Sequence, residues 1–266
     1  MKELQFSIGI LSWRGYDSLK NSLISYDKNG LSKLTSKRFI CLPEYNREGI
    51  KLAKRFNYEP ILIRENIGIL GGFKELAKQM PKGPILLLEN DLELIENQKI
   101  TFNQIKQSIH NLYKHNAIQV RLRSRLDPGE PFVGVIKYKK YWSNNFFSPI
   151  KRFFRPNKAN KLIGTSIYSI QNPEIRHPKY IKKLSDGFYL VPSSTLNWAN
   201  LAILVNRDSY LRIIIKRAEE TKSKKYINGF KNVEIELNNN WWSENNFKII
   251  LAPGLFKHNR LSDRGY

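Results

Sequence analysis

Apolar positions follow two alternating rhythms through the first half of the chain. Phe6-Ser-Ile-Gly-Ile-Leu11 is a β-rich apolar run, and behind it Leu19, Leu23 and Ile24 share one face of a helix. Arg38-Phe-Ile-Cys-Leu42 predicts a second strand, stopped by Pro43. A helix carrying Ile50, Leu52, Ala53 and Phe56 follows, and then the strand Ile61-Leu-Ile63. Gly71-Gly72 opens a helix with Phe73, Leu76, Ala77 and Met80, and Ile85-Leu-Leu-Leu88 is short and apolar throughout. Continuous apolar strands separated by amphipathic helices predict an α/β fold, a mostly parallel sheet flanked by helices.

The rhythm continues and then degrades. Phe102, Ile105, Ile109 and Leu112 predict a helix near 99–114, and Ile118-Gln-Val-Arg-Leu122 a strand. Residues 137–161 mix seven aromatics with eight Lys or Arg, hold no acid and show no clear period. Order returns from Tyr189: Ala199 to Val205 reads as a strand, Ser209 to Lys222 as a helix, and Lys248-Ile-Ile-Leu251 as a late short strand. No internal repeat is visible. The expectation is one domain, with a regular half (1–125) and an irregular half (126–266) sharing one sheet.

Composition narrows the class. Of 266 residues, 41% are hydrophobic and 12% aromatic, enough to fill a core and exclude a disordered chain. The longest apolar runs fall far short of a bilayer span, and the first residues lack the apolar stretch of a secretory signal. The single cysteine, Cys41, excludes an internal disulfide framework. A soluble, intracellular (cytoplasmic) protein is expected. The 45 basic residues against 23 acidic ones, a net charge of +22, point to an anionic partner. That partner is nucleic acid, a membrane surface or a phosphorylated substrate, although Lys and Asn abundance also follows from an AT-rich genome. Residues 101–185 concentrate the excess, with 17 basic side chains against Asp127, Glu130 and Glu174.

Four stretches carry candidate chemistry. The run Ile85 to Leu88 ends in Glu89-Asn-Asp91, followed by Glu93. In an extended chain Glu89 and Asp91 share a direction at the carboxyl edge of the sheet, where α/β ligands bind. Such paired carboxylates suit Mg²⁺ or Mn²⁺, or else an acidic helix start. Glu65-Asn-Ile-Gly-Ile-Leu-Gly-Gly72 offers glycines before a helix, either a phosphate cradle or a plain turn. In Asn232-Val-Glu-Ile-Glu-Leu237, period-2 spacing puts Glu234 and Glu236 on one face, as a general base or as a solvated edge. Ala252-Pro-Gly-Leu-Phe-Lys-His258 supplies His258 as a third ligand for a metal at Asp91.

In this order the features resemble the family 2-like glycosyltransferases of the GT-A fold. The strand from Phe6 to Arg14 resembles their first strand, and Asn66-Ile-Gly-Ile-Leu-Gly71 their N-x-G-x-x-G stretch. Leu86 to Asp91 resembles the strand ending in D-x-D, Val233 to Glu236 their acidic helix start, and Pro253 to His258 the closing P-G-x-F-x-H. The resemblance covers 5–125 and 189–260, and 126–188 matches nothing. Glu89 replaces the first acid of D-x-D, Trp13-Arg14 stand where an Asn is usual, and Glu44 is the one acid placed to meet the base. The resemblance implies transfer of a sugar from a nucleotide-sugar donor, a UDP-sugar foremost, to a hydroxyl of a glycan, a lipid-linked or another acceptor. Ser12, Trp13, Glu44, Asn66, Gly68, Glu89 and Asp91 would bind the donor. Glu89, Asp91 and His258 would hold Mn²⁺ or Mg²⁺, Arg64 or Arg260 would add charge to the diphosphate, and Glu236, ahead of Glu234, would serve as base in an inverting reaction.

Asn197, Trp198, Asn200, Trp241 and Trp242 are expected on the acceptor side, where indoles stack on sugars and amides meet hydroxyls. Arg121, Arg123 and Arg125 would form a basic stripe if extended, for an anionic acceptor or as a solvated edge. Two other classes compete: a nucleic-acid-binding protein, and a nucleotidyltransferase of similar sheet architecture. The absence of helix-turn-helix, zinc or RNP signatures disfavours the first, and the short Ser12-Trp-Arg-Gly15 loop the second. Residues 137–161 either pack their aromatics on the domain or meet an anionic membrane.

Overall fold

A computed structural model describes residues 3–129, 132–223 and 225–259. Its regular half runs β1 (Ser7–Leu11), α1 (Tyr16–Lys28), β2 (Arg38–Pro43), α2 (Arg47–Arg55), β3 (Glu59–Ile63), α3 (Gly68–Gln79) and β4 (Pro84–Glu89). β5 (Leu92–Leu94), α4 (Gln98–Lys114) and β6 (Gln119–Arg123) follow. Two helices, α5 (Val133–Trp142) and α6 (Phe147–Phe154), occupy the stretch without a clear period. The chain returns to the sheet through β7 (Lys182–Lys183), β8 (Tyr189–Pro192), β9 (Ile203–Asn206) and β10 (Lys248–His258).

The sheet order is β3-β2-β1-β4-β9-β6-β10-β8-β7, with β5 paired to β10. β1, β2, β3 and β4 pair in parallel, as helical crossovers require, and β6 pairs in parallel with β10. β9 runs antiparallel between β4 and β6, so strand directions mix in the second half. Alternate residues of the buried strands feed two cores. Leu11, Cys41, Leu87 and Val205 meet Phe73 and Leu76 of α3 on one face. Ile10, Ile40, Leu88 and Leu204 meet Leu19, Leu23 and Ile105 on the other. Strands covered on both faces read as unbroken apolar runs.

Several sequence expectations change. α3 starts at Gly68 rather than at Gly71-Gly72, and the Gly72 position is one of packing, because a Cβ there would stand 2.5 Å from Leu11 Cδ1. The strand expected over Ala199 to Val205 begins only at Ile203, and the late short strand extends to His258. No helix follows β4 directly; a turn at Asn90 and Asp91 leads into β5, so the carboxylates are not spaced along one extended strand. β6 is a central strand, and Arg121 and Arg123 are buried rather than solvated. Among the described residues no helix is long and apolar enough to cross a membrane.

Candidate functional site

Four strand ends converge at one edge of the sheet. Leu11 ends β1 opposite Glu89 of β4, and Leu87 of β4 faces Ile203, so the segment entering β9 lies beside the acidic turn. β10 pairs with β5 in the register His258 to Leu92, which carries His258 back to the residue after Asp91. The result is Asp91 Oδ2 at 3.0 Å from His258 Nε2, with Asp91 buried. The turn is braced from β1: Asn90 Nδ2 donates to the carbonyls of Arg14 and Gly15, each at 3.2 Å.

A cleft of about 330 Å³ opens at this edge. Trp13, Pro43, Asn66, Gly68, Glu89, Asn200, Asn232, Glu234 and His258 are among the residues that line it. Asn66 Oδ1 accepts from Gly68 N at 2.9 Å, a turn that starts α3. Gly68 has φ of 67°, and a Cβ there would stand 2.4 Å from Phe230 Cβ, so only glycine lets the facing loop close on it. Glu44 accepts from Trp13 Nε1 at 2.6 Å and from Arg14 at 3.3 Å. Arg14 and Glu44 both have positive φ, near 50°, at the ends of β1 and β2. Backbone strain of this kind persists where surrounding contacts over-determine it.

Glu234 is placed by a net of asparagines. Residues Val233–Leu237 form a short helix, with Asn232 Oδ1 accepting from Glu234 N at 2.8 Å as its cap. Asn238 bonds the backbone of Trp198 at both N (2.6 Å) and O (3.1 Å), tying the end of the helix to the segment before β9. Glu234 Oε1 then accepts from Asn200 N at 3.0 Å. Burial raises the Glu234 pKa above the usual carboxylate range, while the Asn200 N–H, Arg121 and Arg123 oppose the rise. The two arginines lie buried on β6; burial lowers their own pKa values, and Glu234 pushes back on both. Asp91 and Glu89 also act on Arg123, so this guanidinium shares a field with both acidic groups of the site.

The helical geometry separates the two acids. Residues two apart on a helix diverge by roughly 200°, so Glu234 and Glu236 do not share a face. Glu236 points instead into a neighbouring cleft beside Trp241 and accepts from Ser223 Oγ at 2.5 Å. The acceptor-side indoles are corrected. Trp198 and Trp242 are fully buried against each other, 5.5 Å between ring centroids, and donate to Asn200 Oδ1 and the Leu196 carbonyl. They support the Glu234 segment from beneath and offer no face to a sugar. Trp241 is half-buried under the Arg217 guanidinium, and Asn197 is exposed, its carbonyl accepting from Arg121.

Ser12 is buried, its hydroxyl donating to the Arg14 carbonyl at 3.2 Å. Arg64 is exposed and absent from the cleft wall, while Arg260 lies outside the described residues. The wall formed by Ile227, Asn228, Phe230 and Lys231 escaped the sequence reading. Asn228-Gly229, both at positive φ, make a tight turn there; an Asn-Gly pair is the signal that marks one. Among the described residues no three His, Cys, Asp or Glu side chains group as a metal cluster.

The sequence matches no family model and no curated protein. Its fold is that of solved glycosyltransferases. The mannosyltransferase PcManGT from Pyrobaculum calidifontis, solved with GDP-Man and Mn²⁺, aligns at a TM-score of 0.53 and 6% identity, over 100% of this chain and 59% of that one. TarS of S. aureus aligns at 0.50 and 8% identity, over 97% of this chain and 60% of that one. Glucosyl-3-phosphoglycerate synthase from Mycobacterium tuberculosis, in complex with phosphoglyceric acid, aligns at 0.50 and 8%, over 97% and 72%. The chain thus spans about three fifths of the first two. This likeness establishes the GT-A fold: a central sheet, parallel in its core and flanked by helices.

Proposed function

We propose that this chain transfers a glycosyl group from a nucleotide-sugar, a UDP-sugar foremost, to an acceptor hydroxyl with inversion. The observation that carries the reading is that Glu234, Glu89 and His258 line one cleft together with Trp13, Asn66 and Gly68. Trp13, oriented by Glu44, and Pro43 offer flat apolar surface to a nucleobase. Asn200 and Asn232 line the same cleft with Glu234 and, with their amide oxygens engaged by Trp198 and the Glu234 N–H, have amide N–H groups left for acceptor hydroxyls.

Asp91 and His258 fit a divalent cation in donor chemistry. The two side chains are hydrogen-bonded to each other at 3.0 Å, and with that contact opened they would supply a carboxylate oxygen and an imidazole nitrogen to such an ion. Two protein donors are few, and Mg²⁺-type sites complete themselves with water and substrate phosphate. When bound, such an ion neutralises charge on a leaving diphosphate. The chain's own part is the proton. Glu234 takes the acceptor hydroxyl proton as that oxygen forms its bond to the anomeric carbon. The bond from this carbon to the phosphate oxygen breaks, and the nucleoside diphosphate departs with the electron pair. A raised carboxylate pKa makes Glu234 the stronger base, while Arg121 and Arg123 help keep it ionised.

The test is purified protein with Mn²⁺ or with chelator, offered a panel of UDP-, GDP- and other nucleotide-sugars. Metal-dependent release of nucleoside diphosphate supports the reading, and release of pyrophosphate indicates a nucleotidyltransferase. No release from any donor overturns it.

A further inference from the structure

Helix α6 is built inside out. Phe146 at its N-terminal boundary, Phe147, Ile150, Phe153 and Phe154 recur at the i, i+3, i+4, i+7 spacing that marks one helical face. In a soluble domain that face turns inward. Here the four phenylalanines are 79%, 63%, 80% and 75% exposed, and Ile150 is exposed beside them. The polar side is the one that docks. Ser148 is buried and bonded to Ser143 and Asn145, while Arg152 donates to the Tyr141 carbonyl at 2.7 Å and lies over the Trp142 ring. The helix is therefore held to the domain by hydrogen bonds while its apolar stripe meets solvent. Val133 and Ile136 of α5 extend the exposed apolar surface.

Charge around the stripe narrows what covers it. Lys137, Lys139, Lys140, Arg155 and Lys158 are exposed, and among the described residues none of them pairs with a carboxylate. No acid occurs anywhere from 131 to 173. A second copy of this chain would bring the same basic surface, on a molecule of net charge +22, against itself. An anionic surface that also accepts aromatic rings has both required properties.

We propose that the α5–α6 hairpin is a membrane-docking element, with Phe146, Phe147, Ile150, Phe153 and Phe154 entering the headgroup region of a bilayer. The surrounding lysines and arginines meet anionic lipid headgroups. The hairpin follows directly on the cleft: His258 N donates to the Pro128 carbonyl at 3.3 Å, and Phe132, just before α5, lies under the Arg123 guanidinium. Docking through this element brings the rim of the cleft to the bilayer. A small core joins Tyr138 and Tyr141 of α5 to Ala159 and Leu162 beyond α6, so the hairpin is packed against the chain that follows it.

Co-sedimentation of the full chain, without donor or metal, with phosphatidylcholine vesicles and with vesicles containing phosphatidylglycerol tests this independently of any transferase activity. Binding to the anionic vesicles is expected, weakened at least about tenfold from low to high salt as screening shortens the reach of the charges. The variant with Phe146, Phe147, Phe153 and Phe154 replaced by Ser should keep its melting temperature, since those rings touch little protein, and lose most of the binding. A second variant, with Lys137, Lys139, Lys140 and Lys158 replaced by Gln, should lose the preference for anionic vesicles. The proposal is overturned by three outcomes: binding to neither vesicle, binding undiminished in the phenylalanine variant, or a dimer in solution that this variant abolishes while lipid is ignored.

Discussion

Asp91 Oδ2 and His258 Nε2 lie 3.0 Å apart although 167 residues separate them in the chain. Their meeting depends on strand register, because β10 must place His258 opposite Leu92 of β5. A slip of one residue would turn the imidazole to the other face of the sheet. The pair joins the two halves of the chain at the rim of the cleft.

Replacing either member tests its proposed role as a cation site. Asp91→Asn keeps the size of the side chain but removes its charge. Metal-stimulated turnover should fall on the order of 10²-fold or more, and thermal stabilisation by added Mn²⁺ should vanish. His258→Ala should act in the same direction and less strongly. Unchanged Mn²⁺ stabilisation in both variants would make the contact purely structural.

Glu234→Gln separates the two acids. The amide still accepts the Asn200 N–H but takes no proton, so transfer should drop by roughly 10²–10⁴-fold with donor binding retained. Glu236→Gln, in the neighbouring cleft, should leave turnover within a few-fold of the parent. Stability should move the other way. The folded-state pKa of Glu234 is raised, so the folded chain binds more protons than the unfolded one between the two pKa values, and its stability declines as pH rises through that window. Glu234→Gln escapes that cost, and its melting temperature should exceed the parent's at neutral pH and match it in acid, below the ordinary glutamate pKa.

The same base gives the pH profile its direction. Only the ionised carboxylate takes a proton, so kcat/KM should rise with pH through a value above the usual glutamate range. That limb should be absent from the residual activity of Glu234→Gln. A parent profile already flat from the ordinary glutamate value upward counts against Glu234.

His177 makes the docking hairpin acid-sensitive. It is buried, with Nε2 2.9 Å from the Tyr138 hydroxyl, and burial, with Arg176 and Arg152 nearby, lowers its pKa to about 4. The folded value lies below the unfolded one, near 6.5, so the stabilisation is complete above that pH and is lost as pH falls toward 4. His177→Gln should flatten the dependence of melting temperature on pH between those limits.

Gly68→Ala probes the floor of the cleft. A methyl group meets Phe230 and also has to adopt left-handed φ, which costs about 1–2 kcal/mol by itself. Gly83 has φ of 118°, further from the left-handed region, with open space around it, so Gly83→Ala carries a backbone cost without a clash and away from the cleft. Gly68→Ala should weaken nucleotide binding beyond the effect of Gly83→Ala; equal effects would show that the Phe230 contact does not matter.

The regular half was legible from periodicity because its strands are covered on both faces and its helices on one. Ile85 to Leu88 and Leu19 with Leu23 record that burial directly in residue type. The acidic end of β4, Asn66, Gly68 and the late His258 were legible as well, since carboxylates, glycines and histidine carry chemistry apart from any fold. Tertiary packing assigned the rest. Glu234 and Glu236 look equivalent in a line of residues, and only the Asn232 cap, which winds Val233–Leu237 into a helix, sends one into the cleft and the other away. Trp198 and Trp242 have the composition of a sugar platform, but they became core because they pack against each other and against Tyr210 and Phe247. Arg121 and Arg123 looked solvated until β9 and β10 closed over both edges of β6. Residues 137–161 hid their helices because the apolar stripe of α6 faces solvent, and a periodicity rule that assumes an inward apolar face has no reading for it.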